Sequence, residues 1–335
     1  MSSSLSTSPP PTRLAPTGTP LVPQRVTLGV IAWILPIATV ALMVYFSVRT
    51  PVFLTGDNLL AVATQNAPTF IVAIVFSMLL MAGYVDLSVG SQLALVGVAS
   101  GVALNEWGLV PGVLLGLGIG VAFGAVNGLL IGFLEFSPIV VTLGGLAAGR
   151  GLAQYMGEGS IFGFPDPFVN FGSGSFLGVP YLVIVAAVVC FVAVIAMSRL
   201  PIGRKIIAIG VNARAAFLVG IRVKPIVFAL YLTTGVAVAI AALLQIARLD
   251  SAPSGTLGSG FEVTILTAVL LGGVPFDGGR GSLWRVIVGA WLIGVLKNGL
   301  TLLNIGTELS GIITGGVLVM AAALEALRHR VHRNQ

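Results

Sequence analysis

Long apolar segments alternate with short polar joints through most of this chain, and this alternation limits the folds available to it. A helix needs roughly 20 mainly apolar residues to cross a bilayer, and ten segments approach or exceed that length. Charged residues make up 8% of the chain, whereas soluble domains contain about 25%. We therefore predict an all-α fold, a polytopic membrane helix bundle of about ten transmembrane segments. The predicted crossings are residues 28–48, 60–83, 87–105, 109–133, 138–156, 180–198, 225–247, 262–275, 284–304 and 308–327, of which 262–275 is short enough to be a partial crossing.

Basic residues are distributed unevenly among the joints, and their distribution predicts the orientation. The joints on the cytoplasmic side of a membrane protein carry an excess of Lys and Arg. If the N-terminus is cytoplasmic, ten crossings place the C-terminus in the cytoplasm as well. Thirteen of the seventeen Lys and Arg then lie on the cytoplasmic side. The other four are Arg49, Arg150, Arg248 and Lys297. The net charge of +6 is therefore interpreted as orienting the chain in the lipid bilayer, and we expect no nucleic-acid partner.

Three regions follow from this orientation. Residues 1–26 are rich in Ser, Thr and Pro and predict a disordered cytoplasmic tail. Residues 27–328 predict the transmembrane domain, with its main outer loop between Gly157 and Pro180. Residues 329–335 predict a basic cytoplasmic tail that contacts the inner face of the membrane.

The longest polar interruption in the middle of the chain is residues 199–224. It contains six basic residues and no acidic residue, which indicates a cytoplasmic loop. Between Ile206 and Leu218 the loop is Ala-rich, too polar to span, and bounded by Gly203 and Gly220. This pattern predicts one short helix at the membrane surface, and such a helix offers a docking surface.

The same loop carries a family resemblance. Its pattern of Gly203-Arg204, Asn212, Ala215-Ala216 and Gly220 resembles the cytoplasmic coupling loop in the permease subunits of bacterial ABC sugar importers. These are inner-membrane proteins of the ribose and xylose type, within the branched-chain permease superfamily. The resemblance implies that residues 27–328 form a permease domain and that 199–224 docks on a separate ABC ATPase subunit. It also implies a periplasmic solute-binding protein and a second permease subunit as partners, with ATP bound by the ATPase and no cofactor on this chain.

Two Gly-rich joints extend the resemblance, at residues 82–91 and 272–282. The first resembles the family's Gly-Gly-x-Asp-Leu-Ser-Val-Gly-Ser signature, with Ala82 in place of the first Gly. Aligning Leu79 with Leu270 superimposes Asp86 on Asp277 and Ser91 on Ser282, which leaves an internal duplication open. Asp86 can cap backbone amides at a helix start, or the joints can form part of a gate or partner surface. The candidate gate residues are Asp86, Ser88, Gly90, Gly279, Arg280 and Gly281.

Glycines recur through the predicted helices and number 44 in the chain. The fourth segment contains Gly112, Gly116, Gly118, Gly120 and Gly124. Small residues at such spacing let helix backbones approach closely in lipid. We expect tight helix packing, with helix breaks along a transport path as the alternative.

Four polar residues are candidates for a substrate pathway: Arg150, Lys297, Asn127 and Asn298. The family resemblance includes Arg150-Gly-Leu, Asn127-Gly-Leu and Asn298-Gly-Leu, whereas Lys297 stands where the family usually has Asn. Arg150 and Lys297 can also snorkel outward or pair with an outer-loop carboxylate. We hypothesise that Lys297 faces the path and contributes to selectivity.

The energy source follows from what the sequence lacks. No Gly-x-x-x-x-Gly-Lys-Ser/Thr phosphate loop is present, and every carboxylate lies at or near a predicted helix end, which disfavours a buried proton relay. We expect no catalytic residues and no metal site, since both histidines lie together in the basic tail. The resemblance implies a permease for a monosaccharide or related polyol, working by alternating access with an external ATPase. An ion-coupled secondary carrier and an ABC permease for a nucleoside or branched-chain amino acid remain as alternatives.

Overall fold

The structure, a computed structural model, describes the backbone of residues 24–333 and the side chains of Trp33 and of residues 35–323. The chain divides into two units, residues 1–34 and 35–335. The described part of the first unit is the beginning of a helix. The predicted N-terminal tail lies outside the described residues except for its last three, 24–26, which are helical. The predicted C-terminal tail is helical as far as Arg333, and its last two residues are not described.

Helices make up most of the described chain, which confirms the all-α membrane bundle. The α-helices are α1 (Gln24–Arg49), α2 (Gly56–Met81), α3 (Val89–Trp107), α4 (Leu109–Gly128), α5 (Pro138–Gly157), α6 (Asp166–Ser173), α7 (Tyr181–Arg199), α8 (Pro201–Val211), α9 (Ala213–Leu218), α10 (Val223–Leu249), α11 (Phe261–Leu271), α12 (Leu283–Leu302) and α13 (Thr307–Arg333). A π-helical turn, Leu129–Phe133, continues α4. Strand β1 (Ser160–Phe162) pairs antiparallel with β4 (Ser251–Pro253), and β2 (Ser175–Phe176) pairs with β3 (Val179–Pro180).

Each of the ten predicted crossings coincides with a helix. Among the described residues, five helices are both long and apolar enough to cross a membrane: α2, α4 with its π-helical turn, α7, α10 and α12. Helix α11 has 11 residues, about 16 Å at 1.5 Å per residue. That is about half of the ~30 Å hydrocarbon core, as expected for a partial crossing. The total of ten crossings stays a prediction.

Glycines of α4 lie at every fourth residue against α3 and α10. A β-carbon at Gly120 would lie 2.6 Å from the Gly235 carbonyl oxygen of α10, and one at Gly124 would lie 2.6 Å from the Tyr231 carbonyl oxygen. These distances confirm that the glycines allow close backbone packing. The expectation is wrong for Gly118, where a β-carbon would meet no atom within 4 Å.

The segment between α10 and α11 lies along α3. A β-carbon at Gly101 would be 3.3 Å from the Ala252 Cβ, and one at Gly90 would be 2.6 Å from the Gly258 carbonyl oxygen. From Gly101 back to Gly90 is 11 residues, about 16 Å of helix. Residues 252–258 thus run toward the start of α3, and α11 begins beside that start. We call residues 250–260 the α10–α11 segment.

The joints after α2 and α11 begin with the same backbone geometry. Gly83 and Gly273 have φ of 82° and 76°, and each helix end is closed by the next amide bonding back five residues, Tyr84 to Leu79 and Val274 to Val269. The structurally equivalent residues, such as Gly83 and Gly273, are thus 190 positions apart in the chain, whereas the sequence alignment pairs residues that are 191 apart. Ser282 begins α12 as Ser88 begins α3, so the predicted match of Ser91 with Ser282 is wrong, because the second joint is longer.

Candidate functional site

The loop 199–224 folds into two helices where one was predicted. The expected helix Ile206–Leu218 is interrupted at Asn212, whose backbone is extended at φ −164° and ψ 102°. Its side-chain oxygen Oδ1 accepts a hydrogen bond from the Ala215 amide at 2.9 Å. The Asn212 side chain therefore starts α9 as an N-cap, and this capping explains the break.

Helix α9 exposes apolar side chains that the sequence analysis did not select. The exposed fractions of Phe217, Leu218 and Val219 are 59%, 73% and 78%, and that of Val211 at the end of α8 is 71%. We call these four residues the apolar patch. Ala216, a predicted coupling residue, is buried at 4% and packs into the chain's own core. Ala215, Asn212 and Gly220 are exposed, as is Arg204 on α8, so most of the predicted coupling residues lie at the surface.

Helix α8 contacts both Gly-rich joints through backbone. A β-carbon at Gly210 would overlap the Met81 carbonyl oxygen and the Gly279 amide. The Gly279 amide donates to that same carbonyl at 2.8 Å, and a β-carbon at Gly278 would be 2.6 Å from the Gly83 nitrogen. We call Met81, Gly83, Gly210, Gly278 and Gly279 the glycine junction. The structure thus places one predicted gate residue, Gly279, directly beside the predicted coupling loop.

Other predicted residues lie around this junction. A β-carbon at Gly203 would overlap the Met197 carbonyl oxygen, so this glycine allows α8 to turn back on α7. A β-carbon at Gly281 would overlap the end of the Met81 side chain. Arg280, between the two glycines, is half-buried.

Asp86 is buried at 1% in a polar cluster near the start of α3. Its Oδ1 accepts hydrogen bonds from the Ser88 amide at 2.9 Å and from the Ser88 hydroxyl. Its Oδ2 accepts from Gln92 Nε2 at 3.1 Å and from Asn127 Nδ2 at 3.3 Å. Asp86 thus bonds the amide of Ser88, the residue that precedes α3, and caps no amide of the helix itself. Asn127, predicted for the pathway, belongs to the same cluster.

Two members of this cluster were not foreseen from the sequence. Gln92 is fully buried, and its Oε1 has no hydrogen-bond partner among the described residues. The Tyr231 hydroxyl of α10 donates to the Val85 carbonyl oxygen at 2.8 Å. The carboxylate at Asp86 gave a local signal, and Gln92 lies six residues after it, whereas Asn127 and Tyr231 lie on distant helices.

The α10–α11 segment and the start of α11 contact both cationic pathway candidates. Arg150 Nη1 of α5 donates to the Leu257 carbonyl oxygen at 2.6 Å. Lys297 Nζ of α12 donates to the Thr264 hydroxyl of α11 at 2.9 Å. Arg150 therefore bonds a backbone carbonyl in place of the carboxylate considered from the sequence. The Glu262 carboxylate lies against Gly90 at the start of α3, where a β-carbon would overlap it.

Asn298 lies apart from these residues. It is buried at 8% and exchanges hydrogen bonds of 3.1 Å with Asn58 at the start of α2. Asn66, which the sequence analysis did not select, is also buried in α2 and donates to the Ala290 carbonyl oxygen of α12 at 2.7 Å. Both amides join α2 to α12.

A cavity of about 760 Å³ adjoins α9. It is lined by Tyr84 of the first joint, Phe217 of α9 and the turn after α4. At its rim Lys224 Nζ lies 2.7 Å from Glu135 Oε1. The hydrogen bond and charge of Lys224 lower the pKa of Glu135, so this exposed pair forms above the carboxyl's lowered pKa and is lost as the pH falls through it.

Comparison of the sequence with known proteins shows the family of this chain. Residues 58–322 match the family model described as the permease component of branched-chain amino acid transport systems. The D-allose transport system permease protein of Escherichia coli (strain K12) is 33% identical over 299 residues, covering 87% of this chain and 90% of that protein. The chain belongs to this permease family.

The permease has further relatives of the same kind. The ribose import permease protein of Escherichia coli (strain K12) is 33% identical over 304 residues, covering 88% of the permease and 94% of the relative. The autoinducer 2 import system permease protein of Salmonella paratyphi A (strain ATCC 9150 / SARB42) is 32% identical over 311 residues, covering 89% and 93%. No solved structure matches the permease. It is therefore a multi-pass membrane permease of the ABC class, as the coupling-loop resemblance implied.

Proposed function

We propose that this permease is the translocation subunit of an ABC importer for a monosaccharide or related polyol in the bacterial inner membrane. The main support is its similarity, over nearly its whole length, to permeases named for ribose and D-allose import. It moves solute by alternating access, and a separate ATPase supplies the work. This chain carries no catalytic residue for ATP hydrolysis and binds no cofactor itself.

The proposed topology has ten crossings and both termini in the cytoplasm. The distribution of basic residues supports it. In this topology α8, α9 and the glycine junction face the cytoplasm, and residues 158–180 face outward. A periplasmic solute-binding protein docks on that outer surface, and a second permease subunit completes the pathway.

The coupling step uses the apolar patch and the glycine junction. Exposed apolar side chains on a charged loop indicate a partner surface, and the patch joins the last residue of α8 to the end of α9. When the ATPase moves α8 and α9, Gly210 presses on the backbone of both joints because no side chain separates them. The displacement reaches α2, α3 and α12 together, which favours one of two discrete arrangements.

The proposed pathway passes the α10–α11 segment. Arg150 and Lys297 hold this segment and the start of α11 from two different helices. Near the start of α3, the Gln92 amide oxygen has no hydrogen-bond partner within the described part of the chain. Sugar hydroxyls need such donors and acceptors. The gate is assigned to the neighbouring cluster of Asp86 and Ser88, together with Gly90.

The coupling proposal is tested by substituting Leu218 with Arg. Leu218 is 73% exposed, so the charge should leave the fold intact and remove apolar contact with the ATPase. We expect the ATPase to co-purify with the permease at least tenfold less efficiently. Leu177→Arg is the control, since Leu177 is 88% exposed in the β2–β3 turn. Ala216→Arg is unsuitable because Ala216 is buried. Equal ATPase recovery with Leu218→Arg and the unaltered permease contradicts the assignment.

The alternatives predict different behaviour. A secondary carrier concentrates solute in liposomes that contain the permease without any ATPase, driven by an ion gradient. A branched-chain amino acid or nucleoside permease transports with a binding protein for that solute and not with a sugar-binding protein. The family model's description names branched-chain amino acids, so both solute classes belong in this comparison.

A further inference from the structure

A groove runs between α7 and α12 on the outside of the bundle, with α2 at its base. Its apolar part has a volume of about 410 Å³ and is lined by side chains that include Phe70, Cys190, Phe191 and Trp291. The Phe191 side chain is 66% exposed and Trp284 is 67% exposed, so the groove opens sideways. Since α7 and α12 are membrane-spanning in length and composition, this opening faces the hydrocarbon of the bilayer.

The apolar part continues into a polar end at α8. This second cavity, of about 520 Å³, lies among the end of α7, the start of α8 and the start of α12. Val194 and Trp284 line both cavities, which makes them one groove. The polar end adds Ser198, Ser282 and the Arg204 side chain.

The groove is long enough to hold a lipid tail from the headgroup level past the middle of the bilayer. On α7 its two cavities together extend from Val183 to Ser198, a rise of 15 residues or about 22 Å. This is about three quarters of the ~30 Å hydrocarbon core. The polar end lies at the end of α7, at the headgroup level.

The charge of the polar end selects the headgroup. Arg204 is the charged residue among those lining the two cavities, and none of the lining residues is acidic. The Ser198 hydroxyl already donates to the Val194 carbonyl oxygen at 2.6 Å, so Arg204 is the main donor for a phosphate group. A basic end favours a lipid with net negative charge.

We propose that this groove binds an anionic diacyl phospholipid, with one acyl chain between α7 and α12 and the headgroup phosphate beside Arg204. The headgroup contacts α8 through Arg204 and the second joint through Gly281 and Ser282. The lipid headgroup thus connects α8 to the second joint, the two segments that meet at the glycine junction. The proposal does not depend on which solute the permease carries.

The test uses tryptophan fluorescence in vesicles of defined composition. Trp284 and Trp291 line the groove, and replacing the other two of the four tryptophans, Trp33 and Trp107, by Phe leaves only these reporters. The permease without its ATPase is placed in dioleoyl phosphatidylcholine vesicles. Phosphatidylglycerol or phosphatidylcholine with brominated acyl chains, which quench nearby tryptophan, is then added in steps.

We expect brominated phosphatidylglycerol to half-quench the reporters at about a fivefold lower mole fraction than brominated phosphatidylcholine. Arg204→Gln should abolish this preference. Lys205→Gln should keep it, because it removes the same charge from an exposed neighbour that does not line the groove.

Equal quenching by both brominated lipids in the unaltered permease overturns the selection for anionic lipid. Absence of quenching by either lipid overturns the lipid site and indicates a protein occupant. If Arg204→Gln does not insert, the preference of the unaltered permease still decides the proposal. Because no ATPase is present, failure here leaves the proposed coupling function untouched.

Discussion

Asp86 is a buried carboxylate whose two oxygens accept hydrogen bonds from Ser88, Gln92 and Asn127. Removing it leaves buried donors without an acceptor, and each such group costs about 1–3 kcal/mol. We expect Asp86→Ala to lower the free energy of unfolding by about 3 kcal/mol, measured by thermal unfolding in detergent.

The control for Asp86 is Asn105→Ala, which removes a hydrogen bond between exposed Asn105 Nδ2 and the Phe162 carbonyl oxygen. We expect this loss to stay below about 1 kcal/mol. Combining Asp86→Ala with Asn127→Ala should show coupling of about 1 kcal/mol, because the two side chains share one network. Strict additivity is the result that would refute the network.

The proposed role of Lys297 in selectivity is tested by Lys297→Asn, which introduces the residue that the family usually has at this position. The variant loses the 2.9 Å bond to Thr264, and we expect a change of at least fivefold in the relative transport of competing sugars. Uptake in competition assays measures this ratio. A substitution at the neighbouring Asn298 would not test selectivity, because the Asn298 side chain is hydrogen-bonded to Asn58. An unchanged competition profile removes Lys297 from selectivity.

At the scale of elements, the α4 glycines make a matched test. A β-carbon at Gly120 would lie 2.5 Å from Ala239 Cβ, whereas one at Gly118 would meet nothing within 4 Å. We expect Gly120→Ala to destabilise the permease by about 1–3 kcal/mol through overpacking. Gly118→Ala should be neutral or stabilise by up to ~1 kcal/mol, because Ala favours helix. Equal unfolding temperatures for the two variants would contradict close packing of α4 on α10.

Local sequence predicted the helices well and their contacts poorly. A run of about 20 apolar residues determines a spanning helix almost by itself, so α2, α7 and α10 follow from composition. The break at Asn212 had a local signal, an N-cap residue before an Ala-rich run, which the single predicted helix overlooked. The bond between Asp86 and Asn127 joins residues 41 positions apart, and no periodic pattern reveals it. The burial of Ala216 likewise depends on the helices against which α9 packs.

At the scale of the whole molecule, we expect a substitution in the glycine junction to impair transport without impairing binding of the ATPase. A β-carbon at Gly210 would overlap the Met81 carbonyl and the Gly279 amide, so Gly210→Ala must separate α8 from the joints. We expect sugar uptake in proteoliposomes with the ATPase and binding protein to fall at least tenfold, while the ATPase still co-purifies. The side chains of the apolar patch, which we propose to bind the ATPase, are not substituted in this variant.

Gly56→Ala is the control for this experiment, because a β-carbon at Gly56, at the start of α2, meets nothing within 4 Å. It should transport like the unaltered permease. Normal uptake by Gly210→Ala would show that force does not pass through the junction. Loss of both uptake and ATPase recovery would instead indicate a folding defect, and thermal unfolding distinguishes the two.

The four-residue spacing of the α4 glycines also restricts how this gene can change. Inserting a single codon between Gly116 and Gly120 would rotate every later glycine by about 100° around the helix axis. Bulky neighbours would then replace glycine along the whole contact with α10. We therefore expect a single-residue insertion or deletion within α4 to separate it from α10 and to destabilise the permease.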